Sequence, residues 1–295
     1  MVDSMVRRNG SCPSTVYTLP DFSKVDEKKT IVPFTCDVML AAAQKYIAQG
    51  VSAHNGSHTK VIRLVGDATH DESFQTLKVL KIGLAGCHFE RGEWKTTMIP
   101  VIQCICHQET KEVVDLTLKA LIHLLQQRHG INLVDFVGEW FWDGDQGAMS
   151  SLTSLFPDAR GHLCLEHAKR NAEKRYKDGY KKVVRNFLEF SAFMSPGAFT
   201  VSVDLFLESL IDGNQDTVYL TTANQGGAFI SENGSWSAPW RSSFFECFPG
   251  FSTFTPQVVE AGWNAEDILF GSSKHGTTDR IITNTERLMN KRHKD

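Results

Sequence analysis

Lys60-Val61-Ile62-Arg63-Leu64-Val65-Gly66-Asp67 is an apolar run that ends on an acid, and it follows the turn-forming Asn55-Gly56-Ser57-His58. Read as a strand, it opens a pattern. Two further extended segments follow, near Thr76 to Gly86 and Thr96 to Cys106, separated by the polar Glu90-Arg91-Gly92-Glu93. This predicts a three-stranded meander. Thr110 then reads as the N-cap of a helix in which Val113, Val114, Leu116, Leu121, Leu124 and Leu125 recur at helical spacing until Gly130 ends it. Ile131 to Phe141 is too apolar on both faces for an edge strand, so it reads as a buried central strand broken by Asp143-Gly144-Asp145.

A short helix from about Gln146 to Leu155 stops at Pro157, His162 to Leu165 reads as a brief strand, and a basic stretch continues as a helix to about Phe190. The expected order is βββαβαβα, an α/β mixed sheet. Working outward, residues 1–55 read as a lead-in that is poorly ordered to about residue 33 and carries one helix, Cys36 to Gly50. Residues 56–190 form the core and 191–250 an inserted segment punctuated by Gly226-Gly227, Asn233-Gly234 and Pro239. Residues 251–272 hold the final helix, with Thr255 as N-cap, Pro256 at its first position, and Glu260 and Asn264 on one face. Residues 273–295 are a tail with a basic end.

The bulk properties fit a globular α/β chain. At 295 residues, with 41% hydrophobic and 22% charged residues, it can bury a substantial core. The net charge of −3 names no polyanionic partner, but the charge is segregated. Ala168 to Arg185 holds eight Lys or Arg against Glu173 and Asp178, a local +6. Seven cysteines without disulfide-scaffold spacing, and a start lacking the apolar stretch of a secretory signal, point to a reducing intracellular compartment. No run of about 18 apolar residues predicts a membrane span.

Three acids carry the chemistry. Asp67 and Asp143 read as strand-end residues and Glu260 as a helix-face residue. If the meander and the Ile131 strand share a sheet, Asp67 and Asp143 emerge side by side, and Glu260 arrives from a packed helix. Carboxylates delivered by rigid elements to one point suit two Mg²⁺ or Mn²⁺ ions, because hard cations take oxygen ligands and two of them can hold both oxygens of an in-line phosphodiester displacement. That geometry is the ribonuclease H-like arrangement. Asp145, two residues on, is an alternative ligand. Any one of these acids taken alone is more often a turn or cap residue.

Several strings taken together resemble a known family. They are Gly66-Asp67-Ala68-Thr69-His70, Ile99-Pro100, Glu109-Thr110, Trp142-Asp143-Gly144-Asp145-Gln146-Gly147-Ala148, Leu155-Phe156-Pro157-Asp158-Ala159, Cys164-Leu165-Glu166-His167, Arg170-Asn171 and Val258-Val259-Glu260-Ala261-Gly262-Trp263-Asn264. In this order they resemble the MULE (Mutator-like element) transposase domain of the DDE superfamily, continuously from about Lys60 to Asn171 and again from Thr255. The resemblance implies catalytic and metal-holding roles for Asp67, for Asp143 thirteen residues before Phe156, and for Glu260 ahead of Asn264. It implies metal-dependent cleavage of transposon ends and strand transfer into target DNA, hence a nuclear or otherwise intracellular location and DNA as partner; a homo-oligomer is compatible with it.

Cys164 and His167, a hallmark pair in the resembling family, invite a zinc reading. No second Cys/His pair at zinc-finger spacing completes four ligands, so buried packing is preferred and Zn²⁺ stands second. Lys169, Arg170, Lys174 and Arg175, interleaved with Tyr176 and Tyr180, read either as a phosphate-contacting surface or as a solvated helix face. Zinc-binding recognition modules usual for such transposases are not visible in the sequence. The second reading is therefore a catalytically silent, truncated or domesticated relic that binds DNA or regulates, and a general metal-dependent nuclease is a third.

Overall fold

The computed structural model describes residues 15–25, 29–53, 60–69, 77–90, 92–142 and 145–163, with single positions at 182, 186–187, 198, 201–202, 205, 283 and 286–287. The protein is α/β, and its sheet mixes parallel with antiparallel strands. The strands are β1 (Tyr17–Thr18), β2 (Lys24–Val25), β3 (Thr30–Thr35), β4 (Ile62–Thr69), β5 (Lys78–Glu90), β6 (Glu93–Cys106), β7 (Val137–Trp142) and β8 (Arg160–Leu163). The helices are α1 (Asp37–Ala53), α2 (Lys111–His129) and α3 (Gln146–Leu155).

The sheet runs β1-β3-β6-β5-β4-β7-β8, with β2 on β3. The pairs β1–β3, β2–β3, β3–β6, β6–β5 and β5–β4 are antiparallel, so the parallel part lies at the β4-β7-β8 end. By compactness the chain divides into two units whose cuts fall inside β7 and β8. Among the described residues, the first unit holds everything to Trp140, Asp145–Arg160 and the positions from 283; the second holds Phe141, Trp142, Gly161–Leu163 and positions 182–205.

The expected meander is present as β4, β5 and β6. Its hairpin turns at Gly92, whose φ of 84° is a left-handed value that glycine adopts at little cost. Ile82 pairs with Ile102 but Gly83 pairs with Pro100, which leaves Val101 as an extra residue in β6. The carbonyl of this bulged residue accepts a 2.6 Å hydrogen bond from Thr35 Oγ1.

α2 begins where its sequence says it should. Thr110, in extended conformation, accepts from the Val113 N–H, and Gly130 at φ 67° closes the other end by donating to Gln126 and Leu125 carbonyls. Its buried face, Val113, Val114, Thr117, Leu118, Ala120, Leu121, Leu124 and Leu125, follows the 3.6-residue period. Thr117 reaches Cys104 of β6, and Tyr46 of α1 donates to the Ala85 carbonyl of β5 at 2.8 Å. By strand alternation Cys104 and Gly86 lie on the same side of the sheet, so α1 and α2 cover one face.

Three expectations need correction. The segment read as a poorly ordered lead-in supplies β1, β2 and β3, and β3 pairs along β6 with Phe34 opposite Gln103. Its strand character is hidden in sequence because Pro33 interrupts Thr30-Ile31-Val32. Pro is tolerated only where its missing N–H is not needed. Burial of Ile31, Val32 and Phe34 stabilises the arrangement, at about 1.5–3 kcal/mol for each large apolar side chain.

The central strand expected from Ile131 begins instead at Val137, because Leu133–Asp135 forms a 3-10 turn held by Asn132 Nδ2 donating to Asp135 Oδ2. Finally, β4 continues to Thr69, so Asp67 lies inside the strand and not at its end. The inserted segment, the final helix and the tail lie outside the described residues apart from a few single positions.

Candidate active site

Asp67 is placed by the pleat of β4. Leu64, Gly66 and Ala68 pair with Leu84, Ile82 and Leu80 on the helix-covered face, and Val65 and Asp67 alternate to the opposite face. Asp67 is buried there, with 9% of the residue exposed. A buried acid in mid-strand is unusual, because an ionised carboxylate removed from water must be compensated.

Directly opposite Asp67 in register stands Lys81 of β5, and directly opposite Lys81 stands Gln103 of β6. The three form one polar row across three adjacent strands, on one face of the sheet. Lys81 is 2% exposed and among the largest fully buried side chains; Gln103 is 0% exposed. The amide of Gln103 has neither Oε1 nor Nε2 hydrogen-bonded. Sequence reasoning missed Lys81 and Gln103. The signal was there, since each interrupts an apolar run, Val79-Leu80-Lys81-Ile82 and Val101-Ile102-Gln103-Cys104, in a strand read as part of a central sheet.

On its other side β4 adjoins β7. Ile62 N–H donates to the Phe136 carbonyl at 2.9 Å, Lys60 Nζ donates to the Val134 carbonyl at 2.9 Å, and Arg63 Nε donates to Glu139 Oε2 at 3.0 Å. The approach is close at Gly138, where a Cβ would lie 2.5 Å from the Lys60 carbonyl oxygen. The strand bearing Asp67 and the strand preceding Asp143 are therefore neighbours in the sheet, the condition under which the sequence reading set the two acids side by side. Asp143 itself lies outside the described residues, as do Glu260, Cys164, His167, Lys169, Arg170, Lys174 and Arg175.

Asp145 has a definite local role. It is the N-cap of α3, and its Oδ1 accepts from the Ala148 N–H at 2.7 Å. Gly147 next to it lets the start of α3 approach α2, since a Cβ there would be 2.9 Å from the Lys111 nitrogen. Ser151 fastens the same contact by donating to the Lys111 carbonyl at 2.9 Å.

In the second unit, His162 of β8 is 1% exposed and stacks on Phe141 with ring centroids 4.8 Å apart. That is a packing role. Trp140, Phe141 and Trp142 are buried, as expected for core residues. Among the described residues no group of three or more His, Cys, Asp or Glu side chains is gathered to hold a metal ion, and no helix is long and apolar enough to cross a membrane.

No protein-family model matches the chain, and no curated protein matches it.

Proposed function

We propose that the chain is a DDE-type transposase catalytic domain with a ribonuclease H-like core, cleaving DNA strands and transferring them with the help of divalent metal. The single observation that carries this reading is the placement of Asp67, a buried carboxylate inside β4, next to the strand β7 whose last residue immediately precedes Asp143. The element order from Ile62 to Leu163, three antiparallel strands and then αβαβ, supports it as well.

Asp67 has the donor chemistry that Mg²⁺ or Mn²⁺ takes, an oxygen on a rigid element. Asp143 and Glu260 are the partners the sequence supplies, with Asp145 as the alternative to Asp143. Two bound ions would supply activation of a water or 3′-hydroxyl and stabilisation of the leaving oxygen. The chain's own contribution is rigidity: the β4–β7 ties at Ile62, Lys60 and Arg63 fix the strand on which Asp67 sits.

The test is nicking of supercoiled plasmid DNA with Mg²⁺ or Mn²⁺. Asp67→Asn and Asp143→Asn are expected to abolish nicking while leaving the folded state intact, and full activity in either variant refutes the assignment.

The second reading, a silent relic that binds DNA, is favoured by one observation: the residue directly across from Asp67 in register is a buried lysine, Lys81. Salt-dependent DNA affinity without cleavage, lost when Lys169, Arg170, Lys174 and Arg175 are neutralised, would select it.

A further inference from the structure

We propose that the C-terminal segment of the chain is a built-in cap on the open edge of β1, with Glu286 as its contact, and that it keeps a second copy of the chain from pairing there. The inference goes beyond the catalytic reading and does not rest on it.

Among the described residues β1 is an end strand of the sheet, with β3 on its inner side. Leu19 N–H, one residue past β1, donates to the Pro33 carbonyl of β3 at 3.0 Å. Along an antiparallel strand the backbone groups alternate in direction, so Tyr17 shares the inward sense of Leu19, and the N–H groups of Val16 and Thr18 face the outer edge. Outward donors of this kind are a template on which another strand can add. A second copy is the natural candidate, because it always brings an identical edge and two such edges can pair about a two-fold axis.

The edge is covered instead. Val16 and Thr18 are 3% and 6% exposed, and Val16 N–H donates to Glu286 Oε1 at 3.1 Å, across 270 residues of sequence. Thr283, Glu286 and Arg287 are helical, the first two half-buried and the third exposed. Positions three apart share a helix face, so this segment turns its Thr283–Glu286 side inward and leaves Arg287 to water. A carboxylate suits the place on two counts. An ionised acceptor strengthens the bond from a backbone N–H. Glu286 also acts on Cys36, the residue immediately before α1, whose thiol burial first, and the charges of Asp37 and Glu286 after it, push up to about 11; the start of a helix favours a nearby anion. Val16 N–H cannot serve Glu286 and the carbonyl of an added strand at once, so cap and second copy exclude each other.

The test uses the full chain. Glu286→Ala is expected to speed amide hydrogen exchange at Val16 about tenfold or more in dilute solution, the factor that losing one charge-assisted hydrogen bond brings. In sedimentation velocity the same variant should self-associate about tenfold more tightly than the wild type, or more. Arg287→Ala, on the exposed side, should change neither. Should Glu286→Ala not fold, Glu286→Gln, which keeps an acceptor without the charge, is expected to move both readouts in the same direction by about threefold.

Unchanged exchange at Val16 overturns the contact, and faster exchange with unchanged association overturns the exclusion of a second copy. The location has its own readout: in the associated variant the Val16 and Thr18 amides should regain protection. Association that leaves both amides exchanging fast arises elsewhere on the molecule and overturns the assignment to this edge.

Discussion

Arg63 and Glu139 form a 3.0 Å ion pair that joins β4 to β7, the strand that carries Asp67 to the strand that runs toward Asp143. The side chains are 32% and 18% exposed, so water screens the pair in part and its strength is moderate. Glu139→Gln is expected to lower stability by about 1 kcal/mol, the ordinary loss for a charge-assisted hydrogen bond at a half-buried site. Urea unfolding measures it, and a variant that unfolds with the wild type would mean the pair adds nothing.

Gly138 tests the same junction through sterics. A methyl group there would meet the Lys60 carbonyl oxygen at 2.5 Å, and that atom is backbone, which cannot swing aside. Gly138→Ala should therefore push β4 and β7 apart and cost on the order of 1–3 kcal/mol. If the proposed function holds, plasmid nicking should fall further than stability does, because β4, the strand that bears Asp67, would be displaced. A melting temperature equal to that of the wild type would show that the strands part without cost.

Asp145 separates a cap from a ligand. Asp145→Ser keeps a hydroxyl able to accept from Ala148 N–H, whereas Asp145→Ala does not. The alanine variant should lose about 1 kcal/mol and the serine variant little. Retained Mn²⁺ binding in Asp145→Ser assigns the residue to capping; loss of binding in that variant would return it to the metal site.

The buried thiols govern the alkaline limb of stability. Burial pushes the Cys36 thiol up to about 11 and the Cys104 thiol up to about 12. A raised folded value means the native state holds the proton more tightly than the unfolded chain does. The resulting stability is complete below the ordinary thiol range near 9 and is lost as pH rises from there toward 11–12. Urea midpoints measured from pH 7 to 11 should decline above about 9. In the native protein at pH 8, alkylation mapped by mass spectrometry should spare Cys36, Cys104 and Cys106; prompt labelling of Cys104 would contradict its burial.

What the sequence revealed depended on whether a signal was local. The N-cap at Thr110, the glycine stop at Gly130 and the strand and helix run from Ile62 to Leu155 were legible because caps and periodicity are written in adjacent residues. The partnership of β3 with β6 was not, since a proline-containing run reads as irregular until a distant strand offers its edge. Asp67 could be picked out as an acid closing an apolar run. Its row with Lys81 and Gln103 could not, because a register between strands is set by the Gly92 hairpin and the extra residue Val101, which shift every pairing along β5 and β6. Asp145 shows the converse: a residue attractive for its chemistry has its immediate geometry explained by helix termination.

The pairing of β3 along β6 also orders events during synthesis. Thr30–Thr35 leaves the ribosome well before Glu93–Cys106 exists, so an early apolar segment must wait, unsatisfied, for its strand. Any shortened version that starts at the Lys60 run would discard that segment, bare the backbone edge of β6 and open the space filled by Phe34. Such a fragment is expected to come out of cells as aggregate, and one beginning ahead of Tyr17 to be recovered in solution.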